Sequence, residues 1–185
     1  MRLLFLSIFF MFSFFNASAA KYEKAILAGG CFWGMEELIR QEKGVIKTVV
    51  GYTGGNVPNP TYEIVSTGLS GHAESIEITF DPSKTNYETI LKFFFTIHDP
   101  TQVNRQQNDV GPQYRSEIFY LNDEQKIIAQ KVVAEANASG VFKKPVATKI
   151  TKASTFYPAE EYHQDYLQKH PFGYTCHHVR EEWKF

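Results

Sequence analysis

The sequence predicts an α+β fold, a two-layer α/β sandwich in which helices pack on one mixed sheet. Three observations predict it. Strand-like and helix-like hydrophobic patterns follow one another in the order strand, helix, strand, loop, strand, helix, strand. At 185 residues the chain is long enough to bury one core without staples. No internal repeat, low-complexity stretch or interdomain linker interrupts it, so residues 21–185 are expected to form a single domain.

The elements follow in order. Residues 1–20 carry one early cation, Arg2, then an apolar run from Leu3 to Phe15, then the small residues Ala17-Ser18-Ala19. The run falls short of the roughly 20 residues that a membrane-spanning helix needs. Its pattern is that of a secretory signal peptide cleaved near Ala19 or Ala20, which implies a periplasmic or secreted protein with no membrane insertion after cleavage. Lys24–Ala28 reads as a short buried strand running into Gly29-Gly30. Phe32, Met35, Leu38 and Ile39 have helical spacing, and Gly44 follows as a stop. Val45–Tyr52 is β-branched and reads as a strand, whereas TGGNVPNP from Thr53 to Pro60 must be a loop.

Ala73–Phe80 alternates, with Ile76, Ile78 and Phe80 on one face. Thr85 and Glu88 have the spacing of a capping box that opens a helix through Tyr87, Ile90, Leu91, Phe94 and Ile97, ending by His98-Asp99-Pro100. Ser116–Leu121 reads as a strand. Asn122 and Gln125 then open a long helix that stops near Gly140. Val146–Thr151 is a last strand, and Pro158 suits the first turn of a short helix that ends at His170-Pro171. The whole corresponds to a ferredoxin-like mixed sheet core followed by a long irregular C-terminal tail.

Composition excludes some functions. Nineteen basic and 20 acidic residues leave a net charge of -1, and no Lys/Arg run stands out. The electrostatic footprint of a nucleic-acid binder is therefore missing, and a monomer is expected.

The chain has two cysteines, Cys31 and Cys176, and they admit two readings. Export makes a structural disulfide reasonable. Closing a loop of about 145 residues would contribute roughly 4–5 kcal/mol by chain entropy. Alternatively Cys31 is a nucleophile. It sits where a strand meets a helix, and the unpaired N–H groups of a first helical turn lower a thiol pKa. Gly29-Gly30 lets the backbone turn tightly and leaves the sulfur approachable, while Phe32 and Trp33 suggest a small apolar pocket beside it. Cys176-His177-His178 lacks a structural-zinc spacing, so no metal is expected. A structural role is expected for His72.

GGCFWG at Gly29–Gly34 resembles the active-site signature of the A-type peptide methionine sulfoxide reductases. Further blocks are similar to the family's and stand in the same order: GYTGG (Gly51–Gly55), NPTYEIV (Asn59–Val65), GHAE (Gly71–Glu74), FDP (Phe80–Pro82), HDPT (His98–Thr101), GPQYRSEIFY (Gly111–Tyr120) and FYPAEEYHQDYL (Phe156–Leu167). The resemblance covers the chain after residue 20 and implies specificity for the S epimer. It also implies roles. Cys31 matches the nucleophile, Phe32 and Trp33 the lining for the substrate's methyl group, and Glu74 the acid that assists the sulfoxide oxygen. Tyr62 and Tyr114 match the phenols that hydrogen-bond that oxygen, Asp109 a supporting polar residue, and Cys176 the resolving cysteine.

The chemistry agrees with these roles. A sulfoxide oxygen leaves only when protonated, and a carboxyl kept neutral by an apolar site can give that proton at neutral pH. The resulting sulfenic acid condenses with a second thiol to a disulfide. An external dithiol, such as a thioredoxin-like partner, must then reduce it. No organic cofactor is implied. Gln107 stands where the family often has glycine, and Ser70 where it often has threonine. Two rivals differ in kind. One is a disulfide-stapled domain whose aromatic groove binds methionine-containing peptides. The other is a cysteine hydrolase with His72, His98 or His163 as base.

Overall fold

The computed structural model describes residues 22–185, so the signal-like segment 1–20 lies outside the described residues. Strand β1 (Glu23–Gly29) runs into α1 (Phe32–Ile39), and β2 (Val45–Thr53) follows. After a short helix α2 (Tyr62–Ser66) come β3 (Ala73–Phe80) and α3 (Tyr87–Ile97). The two-residue strands β4 (Arg105–Gln106) and β5 (Asp109–Val110) pair with each other and lead to β6 (Ser116–Tyr120). Then come α4 (Asp123–Ser139), β7 (Lys149–Lys152), β8 (Tyr157–Pro158) and α5 (Tyr166–Lys169).

The main sheet has the order β7-β6-β1-β3-β2-β8. All neighbours are antiparallel except β6 and β7, so the sheet is mixed. Its central four strands, β6-β1-β3-β2, arise because α1 carries the chain from β1 past β3, and α3 carries it from β3 past β1. This is the expected ferredoxin-like core.

Strand alternation sorts the two faces. Leu27 pairs with Ile76 on one side and Ile118 on the other, and all three are fully buried. They pack with Met35 and Ile39 of α1, Phe94 and Phe95 of α3, and Ala129 and Val132 of α4. The helices therefore share one face. The other face, with Ile26, Ala28, Ala73 and Phe119, is covered by the irregular stretch around Ala153 and Phe156.

Two local expectations are corrected. The N-cap of α3 is Asn86, whose side chain accepts from the Thr89 amide at 2.8 Å. The helix thus starts one residue later than a Thr85 cap would place it, with Glu88 in its first turn and no reciprocal box bond. Pro158 is not in a helix. With Tyr157 it forms the edge strand β8 beside Gly51 and Tyr52, a position where a missing N–H is tolerated because an edge leaves one side unpaired. The cap of α4 is as expected: Asn122 accepts from the Gln125 amide at 2.9 Å.

Fully burying one large apolar side chain is worth roughly 1.5–3 kcal/mol, so packing of α3 outweighs its cap and the cap sets only where the helix begins. Asn86→Ala is expected to cost about 1 kcal/mol, and Thr85→Ala less because it removes no cap bond. Urea unfolding midpoints of the two variants check this.

Candidate active site

The site is built where β1 ends. Gly30 has φ +103, and a Cβ there would lie 2.7 Å from Gln106. The turn therefore needs glycine on both backbone and packing grounds. It delivers Cys31 as the N-cap of α1, with its side chain free of any capping bond. The next amide, Phe32 N–H, has no partner within the helix and donates instead to Glu74 Oε2 at 3.1 Å.

Glu74 reaches that amide because it lies on β3 opposite Tyr52, on the same face as Ile76, Ile78 and Phe80. It is only 2% exposed. Burial pushes its carboxyl up to about 8, against the opposing pull of the Phe32 amide. Near neutral pH it therefore holds a proton. Burial, with the charges of Glu74 and Cys31 adding to it, also raises the hydroxyl pKa of Tyr62 at the start of α2. Tyr114, in the 3-10 turn Pro112–Tyr114, is raised by burial and by Glu74, Tyr62, Asp109 and Cys31. Both phenols thus remain hydrogen-bond donors, each close enough to sense Glu74 and Cys31. Asp109 of β5 accepts from Tyr174 Oη at 3.1 Å.

The expectation of an exposed, activated Cys31 thiolate is corrected. Cys31 is 6% exposed. Burial raises its pKa well above the usual thiol value, the charge of Glu74 adds to the rise, and the Trp33 amide opposes it. The resting group is a covered thiol. Its cover is the C-terminal tail: Thr175 and His177 pack directly on Gly34, leaving no room for a Cβ there. His177 reaches the Gly29 carbonyl at 2.8 Å.

Cys176 is half-buried between these two residues and is a free thiol, as is Cys31. Burial and Asp109 push it up to about 12, while the Cys31 amide favours its charged form. The two cysteines are thus neighbours across the tail contact.

Phe32 is fully buried and Trp33 half-buried. Phe32 packs against Tyr52 and His163, so in this state it backs the site rather than lining an open pocket. Trp33 stacks on Tyr166 with ring centroids 3.8 Å apart. Its indole N–H donates to His163 Nδ1 at 3.0 Å.

The segment that holds these rings is pinned residue by residue. Glu160 accepts from Tyr52 Oη and the Tyr62 amide, each at 2.8 Å. Gln164 bridges the N–H and C=O of Val50, both at 3.0 Å. The Asp165 amide donates to the buried Glu36 of α1 at 2.8 Å, and Asp165 accepts from Arg40 at 2.7 Å.

Cys31, Glu74, Tyr62, Tyr114, Asp109 and Cys176 therefore converge as a single cluster, and Trp33 stands on its flank. The histidines named for a hydrolase are engaged elsewhere. His72 bonds the Gly55 amide and the Val57 carbonyl, in the structural role expected of it. His98 bonds Phe94 O and Ser116 Oγ, and His163 holds Trp33. Sequence reasoning missed Glu160 and Tyr174, and it named His163 only as a hydrolase base and His177 only in a dismissed metal motif. Gln107 has φ +54, which explains why glycine suits that position. Its amide is held by Gln102 Oε1 at 2.9 Å.

The raised carboxyl pKa of Glu74 has a thermodynamic sign. The unfolded group ionises near 4.5 and the folded one near 8, so its contribution to stability is full below the lower value and is lost as pH rises through the higher. The difference in unfolding free energy between wild type and Glu74→Gln is expected to change between these two pH values. An infrared band of the neutral carboxyl should titrate near 8 and vanish in the variant.

The comparisons agree with this geometry. The family model described as peptide methionine sulfoxide reductase matches residues 23–184. The peptide methionine sulfoxide reductase MsrA of Mycobacterium sp. (strain MCS) is 56% identical over 163 residues, covering 88% of this chain and 93% of that protein. The crystal structure of Mxr1 from Saccharomyces cerevisiae in reduced form superposes with a TM-score of 0.82 at 37% identity, covering 88% of this chain and 94% of that one. Mxr1 in complex with Trx2 matches with a TM-score of 0.61 at 26% identity, covering 91% and 96%. The chain belongs to the peptide methionine sulfoxide reductase family, thiol-dependent oxidoreductases that act on methionine S-sulfoxide.

Proposed function

We propose that Cys31 reduces methionine S-sulfoxide, free or in proteins, by direct attack on the sulfoxide sulfur, and that Cys176 resolves the product. One observation carries the reading: a proton-bearing Glu74 is buried against the helix terminus that presents Cys31. As the Cys31 sulfur bonds to the substrate sulfur, Glu74 gives its proton to the oxygen, and Tyr62 and Tyr114 donate hydrogen bonds where negative charge develops. The Cys31 proton restores Glu74. Methionine departs and Cys31 carries the hydroxyl as a sulfenic acid. The Cys176 thiol then displaces that oxygen as water, giving a Cys31–Cys176 disulfide.

Substrate reaches Cys31 only when the tail segment at Thr175 lifts from Gly34, which fits the covered thiol at rest. An external dithiol of the thioredoxin type closes the cycle. The complex of the related Mxr1 with Trx2 supports that class of partner. The signal-like residues 1–20 support export, and with it a repair role for oxidised proteins in the periplasm or medium. There the reductant must be a dedicated extracytoplasmic dithiol protein, because the compartment itself oxidises thiols.

The test uses separate S and R epimers of a blocked methionine sulfoxide with excess dithiothreitol. Turnover of the S epimer alone is expected, abolished in Cys31→Ser. Glu74→Gln should slow methionine release by about 10²–10⁴-fold, and the wild-type rate should fall as pH rises past about 8. Cys176→Ser should release methionine once yet fail to turn over with a thioredoxin. No release of either epimer by folded, reduced protein would reject the proposal.

A further inference from the structure

His177 is buried beside the second cysteine, and its two ring nitrogens have different partners. Nε2 faces the Gly29 carbonyl at 2.8 Å. A carbonyl only accepts, so Nε2 carries the proton and Nδ1 is left with a bare lone pair. That lone pair faces Cys176 Sγ at 3.4 Å. The tautomer is therefore set by the backbone of the same turn that presents Cys31. The ring lies close over Gly30 and Gly34, on either side of Cys31 in the sequence.

We propose that His177 Nδ1 is the proton acceptor for Cys176 during disulfide closure, a catalytic role that rests on the reductase reading above. The electrons and atoms balance. The Cys176 sulfur forms a bond to the Cys31 sulfur, the Cys31 S–O bond breaks with its electron pair leaving on oxygen, and the Cys176 proton passes to Nδ1. The imidazolium so formed returns a proton to the departing hydroxide, giving water and neutral His177.

The surroundings favour such an acceptor. Cys176 is pushed up to about 12 by burial and by Asp109, so hardly any thiolate exists at neutral pH. Burial, with the positive charges of Arg180 and His178 adding to it and the Gly29 carbonyl opposing it, lowers His177 to about 4. The imidazole is thus neutral and available throughout the working range. Its weak basicity is no obstacle, because a thiol becomes strongly acidic as its sulfur enters the new S–S bond. A weakly basic acceptor also forms a strong acid, which suits delivery of the proton to hydroxide.

The groups facing the pair are few. Cys176 meets Asp109 of β5, Cys31 ahead of α1 and Tyr174 of the tail. His177 meets Arg180 and His178 of the tail, with His98 at the end of α3 close enough to sense its charge.

A single-turnover experiment without reductant tests the proposal. Reduced enzyme is mixed with the blocked S-sulfoxide, methionine release is followed by chromatography, and closure by loss of dimedone-reactive sulfenic acid and of free thiol. In His177→Gln, whose amide can still donate to Gly29, the ratio of the closure rate to the methionine-release rate should fall about 10²-fold or more. Its closure should also gain a rise of about tenfold per pH unit, as hydroxide-dependent ionisation of Cys176 requires. Wild-type closure should be nearly flat from about pH 5 to 8. Closure in the variant within about threefold of wild type, relative to release, would overturn the proposal. So would a tenfold-per-unit rise in wild type, which needs no variant to fold. Absence of methionine release from wild type would instead strike at the reductase reading and remove both.

Discussion

The hydrogen bond from the Phe32 amide to Glu74 is the interaction on which the rest of this site depends. A helix terminus favours a charged carboxylate and a dry site favours a neutral acid. Here both act on one group, and burial prevails: the carboxyl stays protonated to about pH 8. The bond also fixes position. It ties the junction of β1 and α1 to β3, so the acid and the thiol are held by the two central strands rather than by loops. The register of β3 with β1 and β2 then decides the chemistry, because a slip of one residue would turn Glu74 to the opposite face of the sheet.

Two less regular segments complete what those strands begin. The stretch from Glu160 to Tyr166 has little secondary structure, yet Glu160, His163, Gln164 and Asp165 each bond to α1, α2 or β2. It behaves as a brace that locks Trp33 and Phe32 from outside. The tail does the converse. Its own contacts hold Cys176 and cover Cys31, with the Arg180 amide bonded to Thr96 O at 3.0 Å and Phe185 packed on Phe95. The strands thus carry Glu74 and present Cys31, while Cys176 rides on the tail segment that covers Cys31.

The strands and long helices were legible in the sequence because their hydrophobic periods are strong and their ends carry turn residues. Asn86 displaced Thr85 as a cap because two adjacent polar residues satisfy the same local pattern, and only backbone geometry separates them. Tyr157-Pro158 pairs with β2 through contacts some hundred residues apart, which no local pattern carries. At the site, residue identity was readable and environment was not. Gly29-Gly30 announced an open sulfur, but the cover comes from Thr175 and His177 at the other end of the chain. His177 was considered only as half of a histidine pair for metal. Its adjacency to Cys176 was the one available signal. Glu160, His163 and Gln164 stood in a block that resembled a family's without showing what each side chain held.

The chain has two tryptophans, and neither is a bystander. Trp33 lies between Tyr166 and the His163 ring nitrogen, next to Cys31 in the sequence. Trp183 lies under the Arg180 guanidinium at 4.6 Å and edge-on to Phe142, near the far end of the tail. The molecule therefore carries its own pair of optical probes, one beside Cys31 and one on the tail that covers it. Their emission can be separated by replacing either indole, so the order of substrate entry, tail movement and thiol chemistry is open to stopped-flow fluorescence with no label attached.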